Sequence, residues 1–224
     1  MKFKCLTNLL FISLVFLLSS CFQIIEEINM NNDGSGEVNI TLNMSNSKTR
    51  LASIMLLDSI NGYKVPDEND IQKVLNEAVG YLQNSEGISN VKKTLDMNNF
   101  IATISFSFQN ISNINHLSSQ ILQKQKVKYS NPSSYSFAAS QGLFIRKYQP
   151  VEQGKARYLK LKEEDKSVFR QATYTSIYRF DKDIAKTLNP KAQISKSNKA
   201  IMLRCSVEDV ITGKVNISNQ ITLK

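Results

Sequence analysis

The sequence predicts an α+β fold in which antiparallel sheet is packed by two to three helices. Three observations carry this. Apolar and polar residues alternate with period two through Glu37–Met44 and Phe100–Phe108, as in strands with one buried face. Ile71, Val74, Leu75, Ala78, Val79 and Leu82 recur at helical spacing. After residue 172 the chain returns to aromatic and β-branched runs broken by Asn-Pro and Lys-Ser-Asn-Lys turns.

Taken in order, Ile24–Asn31 reads as a strand, Asn32-Asp33-Gly34-Ser35-Gly36 as a turn and Glu37–Met44 as the returning strand, a β-hairpin. Gly34 or Gly36 is expected at positive φ, and the second glycine allows a bulge or a tight approach. Ser45 or Ser47 caps a helix carrying Leu51, Ile54, Met55 and Asp58 that ends before Gly62. Asp58-Ser59-Ile60 resembles a short bacterial O-glycosylation sequon, although a helix interior is a poor acceptor. Pro66-Asp67-Glu68-Asn69-Asp70 starts the second helix, its acids suited to the helix dipole. Gly87 opens the strand Ile88–Asp96, which turns at Met97-Asn98-Asn99 into Phe100–Phe108; the phenylalanines and Ile104 share a face that the helices must cover. Residues 111–125 read as a helix with Ile111, Ile114, Leu117, Ile121 and Leu122 inward and His116 on the flank. Strands follow at Tyr135–Ala139 and Leu143–Tyr148, then a basic stretch, Lys155–Arg170, whose interleaved apolar residues suit either contact with a membrane surface or, the favoured reading, a solvated connection or short helix with its apolar residues on the core. Ala172–Phe180, a short piece within Asn189–Lys199, Ala200–Val207, Val210-Ile211 and Ile217–Leu223 complete the β-rich end.

The residues offer little catalytic chemistry. Gly-x-Ser-x-Gly, Walker A, His-Glu-x-x-His and Cys-x-x-Cys patterns are all absent from the sequence. Glu26-Glu27 and Glu163-Glu164 are adjacent pairs, which point to opposite faces of a strand or diverge by about 100° on a helix, so neither reads as an acid/base dyad. His116 is the sole histidine, and the acidic turn at 31–37 lacks the EF-hand ligand pattern, so no metal site and no cofactor are expected. Cys205, between Leu203 and Val207, reads as a packed thiol. A non-enzyme is the expectation.

The start of the chain reads as an export signal. Lys2 and Lys4 precede the apolar run Leu9–Leu18, then Ser19-Ser20-Cys21 supplies small residues and a thiol. A bilayer span needs about 20 apolar residues and this run is about half that. Leu18-Ser19-Ser20-Cys21 resembles the bacterial lipobox, which implies lipidation of Cys21 and removal of residues 1–20. One acyl chain anchors marginally and two or more hold stably. With residues 1–20 removed, 21–128 reads as an α+β domain with the N-terminal hairpin and 129–224 as a β-rich basic part continuous with it. Residues 22–121 carry 6 Lys/Arg against 11 Asp/Glu, and residues 122–224 carry 20 against 8. Such asymmetry suits an anionic membrane surface, or two halves whose charges complement each other. Nucleic acid is not an expected partner, because the domain is exported and no aromatic motif is set among the basic residues. No acidic residue stands directly after Cys21, in Phe22-Gln23-Ile24-Ile25, which favours the periplasmic side of the envelope over the cell surface.

The hairpin Ile28-Asn29-Met30-Asn31-Asn32-Asp33-Gly34-Ser35-Gly36-Glu37-Val38-Asn39-Ile40 resembles the opening of LppM-like and related uncharacterised bacterial lipoproteins, and Thr175–Leu203 is similar to their closing part. The resemblance implies an envelope-anchored α+β domain, with lipid or glycolipid binding for one branch and no catalytic residues. Two functions are consistent with it. One is a binder of lipid or another apolar envelope ligand, with Phe100, Ile104, Phe106 and Phe108 lining a cavity. The alternative is a membrane-tethered interaction module with a filled core whose basic half docks on an anionic envelope partner. An enclosed apolar cavity of ligand size distinguishes them.

Overall fold

The computed structural model describes residues 22–60, 62–117 and 133–224. Its frame is a seven-stranded sheet in the order β11-β12-β9-β1-β2-β6-β5, packed on a four-stranded sheet ordered β10-β13-β8-β7. The first sheet comprises β1 (Gln23–Met30), β2 (Gly36–Asn43), β5 (Ile88–Asp96), β6 (Ile101–Phe108), β9 (Thr173–Phe180), β11 (Gln193–Ile194) and β12 (Ala200–Ser206). The second comprises β7 (Ser133–Ala138), β8 (Leu143–Tyr148), β10 (Ile184–Thr187) and β13 (Asn219–Leu223). β3 (Ser59–Ile60) and β4 (Tyr63–Lys64) form a separate small hairpin. Among the described residues all strand pairings are antiparallel except β1 with β9, which run parallel from Gln23↔Thr173 to Met30↔Phe180. The α+β class is therefore as predicted.

β1 is the hub, with β2 on one side and β9 on the other. Across this register the row Phe106, Val38, Ile28, Tyr178 and Ile201 is buried throughout and faces Phe144 and Ile221 of the second sheet. The opposite face carries Asn39, Thr41, Thr103, Ser105 and Ser107, the polar members of the predicted alternation. The hairpin turn matches expectation. Gly34 has φ +92°, and the Asp33 carboxylate accepts from the Ser35 N–H at 2.9 Å. Gly36 is the tight approach: a Cβ there would stand 2.0 Å from the Asn29 carbonyl oxygen and 2.7 Å from the Phe108 ring.

Five helices of α type are described. α1 (Lys48–Ile54) ends earlier than predicted and buries no residue, which leaves Ser59 exposed outside any helix. α2 (Glu68–Gln83) starts at a capping box in which Asp67 accepts from the Asp70 N–H at 2.7 Å and Asp70 accepts from the Asp67 N–H. Ile111–His116 is a 3-10 helix, and residues 118–125 of the predicted helix lie outside the described residues. The basic stretch folds as two helices, α3 (Glu152–Leu159) and α4 (Glu163–Gln171). Val210-Ile211, read as β, belongs to α5 (Val207–Thr212), because the Ser206 hydroxyl caps it at the Glu208 N–H and Glu208 and Asp209 suit its first turn. The β6 face that carries Ile104, Phe106 and Phe108 does lie under a helix, as the sequence suggested, but not under helix alone. The second sheet covers the β1, β9 and β12 part, and α2 lies over β5 and β6. Among the described residues no helix is long and apolar enough to cross a membrane.

Candidate functional site

Between α2 and the β1–β2–β6 part of the sheet lies an apolar cavity of about 440 Å³. Its floor is Ile40, Leu42, Ala102 and Ile104, its roof Leu75, Ala78 and Leu82 of α2, and Ile114 and Leu117 close one side. The helix stripe explains the roof: Leu75, Ala78 and Leu82 share a face, whereas Val74, read as part of the same stripe, is exposed. Lys93 of β5 donates to the Asn76 carboxamide and ties the helix to the sheet edge. On the other side Asn115 clamps β7, accepting from the Tyr135 N–H at 2.7 Å and donating to the Tyr135 carbonyl at 3.0 Å.

Burial changes along the strands. Val38 and Phe106 are closed off, while Ile40 is 44% exposed and Leu42 36%. The cavity therefore opens towards the row Ala102–Leu42–Ile24, the end of the sheet where β1 begins. Of the predicted lining residues, Ile104 and Phe106 border the cavity. Phe108 is packed in the core, and Phe100 sits before β6 at φ +54° and does not line the cavity.

The polar wall consists of Glu26, Ser133 and Tyr135. Glu26 belongs to a cluster between the sheets that sequence reading missed. Arg146, almost fully buried on β8, donates from Nη1 to the hydroxyls of Tyr174 and Tyr178 at 2.6 and 2.7 Å. Those hydroxyls donate onward to Glu26 at 2.9 and 3.1 Å, and Tyr135 donates to Glu26 at 2.9 Å. The direct Arg146–Glu26 approach is longer, 3.4 Å, so tyrosine hydroxyls relay much of the contact between the two charges. The guanidinium also lies 5.5 and 5.4 Å from the ring centroids of Tyr135 and Tyr174. Burial opposes charge on Arg146, but Glu26, foremost among its neighbours, and the three tyrosines together outweigh it and raise the pKa. Burial, reinforced by Glu26, holds Tyr135, Tyr174 and Tyr178 well above the usual phenol range.

The adjacent glutamates separate as strand geometry requires: Glu26 points inward, and Glu27 points outward to Arg179 at 2.9 Å. Cys205 packs against the second apolar cluster, around Leu203 and Val207, and burial followed by Asp209 pushes its thiol up to about 11. Cys21 lies outside the described residues, and nothing is described of the His116 side chain.

Neither a protein-family model nor a curated protein sequence matches this chain. Among solved structures it is similar to the NMR structure of the folded domain of Mycobacterium tuberculosis LppM, at 10% identity over 92% of each chain with a TM-score of 0.43. At that identity no residue of the cavity is carried across.

Proposed function

We propose that this chain is a lipoprotein of the cell envelope, anchored through Cys21 on the periplasmic side, whose domain binds a lipid chain or another apolar ligand without catalysing a reaction. The observation that carries the reading is the cavity of about 440 Å³. It falls within the range of roughly 300–1,000 Å³ typical of small-molecule sites and combines apolar walls with a few fixed polar groups. Glu26, the carboxylate that lines it, is engaged by three tyrosine hydroxyls and Arg146, an arrangement that fixes a wall rather than poising an acid or base. An interaction module with a filled core is the weaker reading, because the described residues leave the space under α2 unfilled.

Native mass spectrometry of the protein extracted from membranes tests the binding. An apolar ligand is expected to accompany the wild type and to be lost from Ile104→Trp, whose larger ring occupies the floor. A wild type free of bound ligand would defeat the reading. For the anchor, Cys21→Ala should leave the membrane fraction after a high-salt wash, and retention of the variant there would remove the lipobox from the account.

A further inference from the structure

Residue 22 leaves the fold at the open end of the cavity. Ile24 pairs with Leu42, and Gln23 with both Asn43 and Thr173, so the start of β1, the end of β2 and the start of β9 share one edge of the molecule. Phe22 is fixed there. Its carbonyl accepts from the Thr173 N–H at 3.0 Å, and its ring meets Phe169 of α4 edge-on at 6.1 Å. Phe169 in turn meets Tyr158 of α3 at 5.7 Å, and Tyr158 donates to Glu208 of α5 at 2.7 Å. The three helices α3, α4 and α5 thus stand beside the start of β1, at the end of the sheet towards which the cavity opens.

What this edge exposes is chemically unusual for a soluble surface. Residues 152–171 carry six Lys/Arg against four Asp/Glu, and Glu163 is occupied by Lys166 at 2.8 Å and Arg170 at 2.6 Å. Lys155, Arg157, Lys160 and Lys162 form no ion pair among the described residues, and Leu159 is 57% exposed in their midst. The connection leaving β2 at the same edge exposes Leu56 at 87% and Leu57 at 51%. Cations flanking exposed leucines match a surface that rests on anionic headgroups and inserts apolar side chains.

We propose that this edge is a membrane-docking face for an anionic bilayer, placing the cavity mouth on the lipid so that the ligand passes between bilayer and cavity without crossing water. The inference rests on the anchored, apolar-ligand reading above and adds an orientation to it: Cys21, the proposed anchor, joins the domain at Phe22, on the edge where β2 ends and beside the helices that carry Leu159 and the unpaired cations.

The chain contains no tryptophan, so single reporters are clean. The full chain carrying Leu57→Trp, Leu159→Trp or Asn32→Trp, the last in the β1–β2 turn at the opposite end, is reconstituted into phosphatidylcholine/phosphatidylglycerol vesicles with plain or brominated acyl chains. Bromine should quench the reporters at 57 and 159 and leave that at 32 unchanged. Changing Lys155, Arg157, Lys160 and Lys162 together to Ser should abolish quenching at 159, consistent with a weakening of surface attraction on the order of 1,000-fold at low salt, with an unchanged melting temperature. Equal quenching at the two ends, or none at 57 and 159, overturns the orientation. Native mass spectrometry of the same samples separates the two readings: ligand present without end-specific quenching defeats only the docking face, and quenching without any bound ligand defeats only the cavity.

Discussion

Arg146 illustrates how much one side chain can depend on residues far away in sequence. Its charge is buried between two sheets and is tolerated because Glu26, Tyr174 and Tyr178 surround it. Removing one partner of such a pair leaves the other charge uncompensated, which typically costs about 3–5 kcal/mol. Arg146→Met should therefore destabilise strongly. Glu26→Gln with Arg146→Met should cost less than the sum of the two single changes, since the carboxamide still accepts from tyrosine and no lone charge remains. Urea denaturation of the four proteins measures this, and additive losses would show that the groups are not coupled. The tyrosines add a pH dependence whose sign is fixed. Their pKa values are raised in the fold, so the stability they contribute is fully present below the unfolded value of about 10 and is lost as pH rises through the folded values. Alkaline titration followed by tyrosinate absorbance should find these three ionising only as the protein unfolds. Their titration alongside the exposed tyrosines of a still-folded protein would contradict it.

At the level of elements, the β1–β2 hairpin and α2 make separable demands. Gly34→Ala puts a side chain at positive φ, a strain on the order of 1–2 kcal/mol. Gly36→Ala instead drives a Cβ into the Asn29 carbonyl and the Phe108 ring, and overpacking of this kind typically costs about 1–3 kcal/mol. Thermal melts should therefore place Gly36→Ala at or below Gly34→Ala, and an unchanged melting temperature for Gly36→Ala would remove the close approach from the account. Asp67→Ala removes the α2 cap at a cost of about 1 kcal/mol. Because α2 roofs the cavity, this change should also weaken ligand retention, read by native mass spectrometry. These elements were legible in the sequence, because turn glycines, caps and periodicity are local signals. The divergence of Glu26 and Glu27 was legible for the same reason. The Arg146 cluster was not, since its members come from β1, β7, β8 and β9 and nothing local marks which strands will face one another. α5 was hidden by its length, six residues with β-branched Val and Ile that carry strand propensity, and only Ser206 followed by Glu208 and Asp209 signalled a cap. The cavity was half legible: Ile104 and Phe106 could be placed on its face, but Phe108 could not be told from a lining residue without knowing how far α2 reaches.

For the molecule as a whole, the question is whether the acidic first half and the basic second half are two bodies or one. β1 belongs by sequence to the first half, yet it pairs along its full length with β9 of the second. The same strand supplies Ile28 and Met30 to a core shared with Phe144, Tyr178, Phe180 and Ile221. Among the described residues two ion pairs cross between the halves, Glu26 with Arg146 and Glu27 with Arg179, so part of the charge asymmetry is resolved internally. Exposed pairs such as Glu27–Arg179 contribute little, so the coupling rests on the sheet and the buried rows. Unfolding either half would strip β1 or β9 of its neighbour and expose the row through Ile28 to water, which makes partial unfolding costly. Calorimetry should therefore record one transition whose calorimetric and van't Hoff enthalpies agree. Because a bound apolar ligand favours only the folded state, delipidated protein should melt in the same single transition at a lower temperature. Restoring ligand to about 100 times its Kd should return roughly 2.7 kcal/mol. Two separated transitions, with only the first shifted by ligand, would instead mean that the cavity half folds on its own and that β1–β9 pairing is a contact between independent bodies.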